Sequence, residues 1–89
     1  MLRYHIIFKG MVQGVGFRFT AQRLARKFGI LGWVRNNPDG TVELTAQGPQ
    51  ERLDLFLADL RDYFKDYIHD YDLTSESSRE DSSDFKIVF

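Results

Sequence analysis

The sequence has no cysteine, which excludes a disulfide framework, a thiolate nucleophile and a cysteine-ligated zinc. Excess charge is also missing: 12 Lys+Arg against 13 Asp+Glu leave a net charge of −1 at pH 7. No general attraction to nucleic acid or to an anionic membrane follows from that balance, so any anion site must be local. No apolar run approaches the length that spans a bilayer. The opening residues Met1-Leu2-Arg3-Tyr4-His5 turn polar too soon for the apolar core of a signal peptide, and a cytoplasmic protein is expected. His5 and His69 have no companion ligands at metal-binding spacing, so neither a metal nor a cofactor is expected.

What is present suits one folded domain. With 89 residues there is room for a single hydrophobic core, and one domain over residues 1–89 is expected. Residues 2 to 9 alternate, Leu2, Tyr4, Ile6 and Phe8 against Arg3, His5, Ile7 and Lys9, as in a half-buried strand. Phe17, Ala21, Leu24, Ala25 and Phe28 recur at helical spacing, with Gly29 as the stop. Residues 30 to 35 read as a second strand, and Pro38-Asp39-Gly40 reverses the chain into a third, 41 to 47, that alternates cleanly. After Gly48-Pro49, Leu53, Phe56, Leu57, Leu60 and Phe64 mark a second helix. His69, Tyr71 and Leu73 share one face of a weaker strand. Residues 74 to 84 read as a solvated loop or a frayed strand end, and Phe85, Ile87 and Phe89 as a closing strand that runs to residue 89. The order β-α-β-β-α-β, then a last β, predicts an α+β sandwich with two helices on one face of a mainly antiparallel sheet of four to five strands. Phe17 and Trp33 are expected in its core.

The segment from Gly10 to Arg18 is the most distinctive. Its three glycines let the backbone take positive φ and approach a ligand closely. It runs straight into a helix, whose first N–H groups lack intrahelical partners and favour negative charge. Met11, Val12, Gln13, Gly14, Val15, Gly16, Phe17 and Arg18 are the candidate phosphate-binding residues, the Arg18 guanidinium adding a fixed cation. The third glycine of a dinucleotide fingerprint is missing, as is the Gly-Lys-Ser/Thr ending of a Walker A loop.

Combined with Gly32-Trp33-Val34-Arg35-Asn36 and Asp39-Gly40-Thr41-Val42-Glu43, this loop resembles the acylphosphatase family, small enzymes that hydrolyse the carboxyl-phosphate bond of acyl phosphates. Gln47-Gly48-Pro49 and Phe85-Lys86-Ile87 resemble it too, so the likeness covers nearly the whole chain. It implies a ferredoxin-like βαββαβ sandwich, an acyl phosphate as substrate, inorganic phosphate as product and inhibitor, and two catalytic residues that fall on Arg18 and Asn36. Met11 departs from the arginine usual in the family after the first glycine, and Val88 from a basic residue common near the end. The motifs contain no clear histidine, cysteine or paired-carboxylate base, which leaves Asn36 to orient a water and the substrate's own phosphate oxygen to take its proton. If the last strand pairs parallel beside the second, the Phe89 carboxylate is expected to reach Arg18.

A monomer is expected. Two other readings compete: a catalytically weak anion-binding or interaction module of the same fold, and an RNA-binding domain with strand aromatics as base platforms. The second lacks the RNP aromatic motif and a basic surface.

Overall fold

The computed structural model describes residues 1–78 and 83–89. Seven elements follow in order: β1 (Leu2–Gly10), α1 (Phe17–Phe28), β2 (Leu31–Asn36), β3 (Val42–Gly48), α2 (Gln50–Tyr63), β4 (Ile68–Ser77) and β5 (Phe85–Ile87). The strands form one sheet in the order β4-β1-β3-β2-β5. Every neighbouring pair is antiparallel except β2 with β5, which is parallel. This is the expected ferredoxin-like α+β architecture, widened by β5.

Strand parity decides which face is buried. Tyr4, Ile6 and Phe8 of β1, Val34 of β2 and Val42, Leu44 and Ala46 of β3 form one core with Phe17, Ala21, Leu24 and Ala25 of α1 and Leu53, Phe56, Leu57 and Leu60 of α2. Both helices therefore cover the same side of the sheet. Phe17 is in this core as expected, its ring 5.0 Å from that of Phe8 and 4.6 Å from that of Phe64.

Trp33 is not in the core. Gly32 and Val34 take the buried positions of β2, so Trp33 between them points to the opposite face, half-buried, with the Arg35 guanidinium 5.3 Å from its ring. That face carries a charged network instead of a second core. His5 Nε2 and Glu43 Oε2 are 2.7 Å apart, Arg35 donates to Glu43 Oε1 at 2.9 Å, and Lys9 meets Asp72 at 2.8 Å.

The structure decides one strand end that the sequence left open and moves another. β4 continues through residues 74 to 77, because its backbone pairs with β1 as far as Leu2↔Ser77 whatever side chains it carries. Of the two readings of residues 74 to 84, the strand end holds as far as Ser77, and residues 79–82 lie outside the described residues. β5 stops at Ile87, and Phe89 is fully exposed instead of closing a strand.

The topology gathers three chain segments. β1 and β2 both flank β3 and run antiparallel to it, so they run parallel to each other and end at one edge of the sheet. β5, parallel to β2, ends there too.

Candidate active site

At that edge the ladder between β1 and β4 shifts register between Lys9 and Gly10, and the Met11 N–H donates to the Tyr67 carbonyl at 2.9 Å. The chain then bends through Gly14 and Gly16, at φ 78° and 80°. Both are left-handed conformations that cost an L side chain about 1–2 kcal/mol. Gly16 is the N-cap of α1, no side chain caps the helix, and its first turn holds no acidic residue. The Thr20 N–H to Gly16 carbonyl bond, 3.1 Å, closes the first turn. The N–H groups of Phe17, Arg18 and Phe19 precede it and have no intrahelical acceptor. An anion placed here gains from those donors and from the positive end of the helix.

Asn36 is the last residue of β2 and shares parity with buried Val34, so it faces the helix side at the strand end. The turn behind it is held by hydrogen bonds of its own. Asn37 N–H donates to the Thr41 carbonyl at 2.9 Å, and Asp39 Oδ1 accepts from the Thr41 N–H at 3.0 Å and its hydroxyl at 2.6 Å. Those bonds, the hydroxyl's foremost, hold the Asp39 carboxyl below its ordinary pKa. Gln13 joins loop to turn: its side-chain Nε2 donates to the carbonyls of Asn37, at 2.8 Å, and Thr41, at 2.9 Å.

The result is a small cavity of about 120 Å³ lined by Val12, Gly14, Gly16, Phe17, Arg18, Phe19 and Asn36. Five of the eight candidate loop residues line it, and Arg18 and Asn36 meet there. Met11, Gln13 and Val15 do not: the Met11 N–H is engaged by Tyr67, Gln13 faces the turn, and Val15 packs against the core. A larger depression of about 460 Å³ around Arg61, His69 and Tyr71 involves neither the glycine loop nor a helix start.

The C-terminal segment arrives as the parallel pairing requires. The Val88 N–H donates to the Val34 carbonyl at 2.9 Å, which carries Phe89 up to Arg18. The contact made is with the ring, not the carboxylate: Arg18 Cζ lies 5.5 Å from the Phe89 ring centroid. Sequence reasoning missed this stacking, the tie made by Gln13 and the presence of Phe19 in the cavity. An aromatic next to Arg18 on an otherwise polar helix face was the one signal that pointed to Phe19.

A family model described as Acylphosphatase matches residues 4–87. The chain belongs to the acylphosphatase family. It is thereby a member of a family of enzymes, as the motifs implied. It is 40% identical to an acylphosphatase of Bacillus subtilis over an alignment covering 100% of this chain and 99% of that protein. The crystal structure of acylphosphatase from Bacillus subtilis superposes with a TM-score of 0.91, at 38% identity and with 100% of both chains covered. An acylphosphatase of Geobacillus thermodenitrificans is 54% identical over 57 residues, a match that spans 64% of this chain and 61% of the relative. Among the described residues no helix is long and apolar enough to cross a membrane.

Proposed function

We propose that this chain is an acylphosphatase that hydrolyses the carboxyl-phosphate bond of acyl phosphates, releasing a carboxylate and inorganic phosphate. The single observation that carries the reading is the cavity where the glycine loop, the free start of α1, Arg18 and Asn36 converge. The phosphoryl oxygens take N–H donors from the loop residues that line the cavity, Val12, Gly14, Gly16, Phe17 and Arg18, and the planar Arg18 fork binds two of those oxygens at once. Of the candidate residues Met11, Gln13 and Val15 are set aside, Met11 because its N–H is already spent on Tyr67 and the other two because they do not line the cavity.

The carboxylate is a good leaving group, so the work is to hold the phosphoryl group, stabilise charge spread over its oxygens and place a water in line. Asn36 orients that water through its carbonyl oxygen. The water oxygen bonds to phosphorus, the bond from phosphorus to the acyl oxygen breaks, and its electron pair leaves with the carboxylate. A side-chain amide is no base, so the water's proton passes to a phosphoryl oxygen. The scheme calls on no metal or cofactor. The chain acts in it as one domain over residues 1–89, a cytoplasmic monomer with no nucleic-acid or membrane partner.

The test is hydrolysis of an aromatic acyl phosphate with a chelator present. Turnover is expected, with inorganic phosphate inhibiting competitively because the product occupies the same cradle. Phosphate binding without turnover would instead favour the non-catalytic anion-binding module. A pH profile governed by a group of histidine-like pKa would count against proton transfer to the substrate.

A further inference from the structure

Two large apolar side chains stand in solvent next to the cavity: Phe19 is 74% exposed and Phe89 102%. Phe19 follows Arg18 in the first turn of α1 and lines the cavity with Arg18 and Asn36. It also borders a shallow depression on α1 shared with Gln22 and Arg23. Phe89 offers one ring face to the Arg18 guanidinium. Met11, 67% exposed, is equally apolar but does not line the cavity.

A cavity of about 120 Å³ is well below the roughly 300–1,000 Å³ that encloses a drug-sized ligand. With the phosphoryl group inside it, the acyl carbon is one oxygen away from phosphorus, and the acyl group must leave across the rim. We propose that Phe19, with Phe89 on the other flank of Arg18, forms an apolar lip that selects acyl phosphates with aromatic or long aliphatic acyl groups over short ones. This rests on the acylphosphatase reading of the cavity. An apolar acyl group on the lip removes both rings from water, which is favourable in proportion to the area covered. It also excludes water from Arg18, which strengthens the pull of the guanidinium on the phosphoryl oxygens. A short acyl group does neither.

The test compares kcat/KM for benzoyl phosphate and acetyl phosphate in the wild type, Phe19→Ala, Phe19→Leu and Phe89→Ala. The wild type should prefer benzoyl phosphate. Phe19→Ala should lower the benzoyl-to-acetyl ratio by about three- to tenfold, the range one aromatic contact carries, mainly through KM for benzoyl phosphate. Phe19→Leu should restore most of it, and Phe89→Ala should lower the ratio in the same direction. The ratio is read within each variant, so a variant that folds less well still reports it. An unchanged ratio in Phe19→Ala, with both substrates still hydrolysed, overturns the lip and leaves the acylphosphatase reading standing. A wild type that turns over neither substrate overturns that reading and the lip with it.

Discussion

Glu43 has two side-chain partners on the open face of the sheet, His5 at 2.7 Å and Arg35 at 2.9 Å. The hydrogen bond from His5, with that from Arg35, holds its carboxyl below the usual glutamate range despite partial burial. A carboxyl whose folded pKa is depressed adds stability that is complete above its unfolded pKa and fades as pH falls through the folded value. Thermal melts should therefore show the wild type losing Tm on acidification through the glutamate range, and Glu43→Gln losing less over the same window. Equal slopes would contradict that role. At Gly16 an added Cβ meets nothing within 4 Å, so Gly16→Ala should cost only the left-handed backbone, about 1–2 kcal/mol by chemical denaturation. A cost near zero would mean that the loop relaxes. Arg18 and Asn36 were legible as candidates in the sequence because the motifs that carry them are short and local. The Gln13 side chain was not, since its acceptors lie 24 and 28 residues away and nothing near it in sequence names them.

The elements were legible to the extent that their side chains alternate. The β2–β3 hairpin follows from Asp39-Gly40 between two patterned runs, and α1 from its apolar stripe and Gly29 stop. β4 was only half visible: its last residues carry polar side chains, and the ladder to β1 holds them extended. Trp33 shows the opposite failure, where size and hydrophobicity suggested burial but parity assigned the inward positions to its neighbours. The join of β1 and β4 gives a test at this scale. A Cβ at Gly10 would stand 2.3 Å from the Tyr67 carbonyl oxygen and 2.8 Å from the His69 nitrogen, both backbone atoms. Gly10→Ala should destabilise the fold by about 2 kcal/mol or more and speed hydrogen exchange at the Met11 amide. Protection unchanged at that amide would show that the strand edge absorbs the methyl group without losing the Tyr67 bond.

At the scale of the molecule, the candidate site takes its shape from parallel β1, β2 and β5 ending at one edge of the sheet, which brings the loop, Asn36 and Phe89 together. That convergence was readable from the element order once β5 was placed parallel beside β2. The form of the C-terminal contact was not, because the choice between ring and carboxylate at Arg18 depends on where the strand stops. Gln13 is the cross-brace between the two halves. Gln13→Ala should lower kcat more than it weakens phosphate inhibition, since the cradle survives while the turn behind Asn36 loosens; steady-state kinetics with inorganic phosphate would read both. The most direct test of the two-part site is turnover of an aromatic acyl phosphate, with the inhibition constant of phosphate, in the wild type, Arg18→Ala and Asn36→Ala. Each substitution should reduce kcat/KM by at least roughly 10²- to 10³-fold, the loss typical of removing one charge-stabilising donor. Phosphate inhibition should weaken sharply in Arg18→Ala and change little in Asn36→Ala. Full turnover in Asn36→Ala, or none in the wild type, would contradict the account.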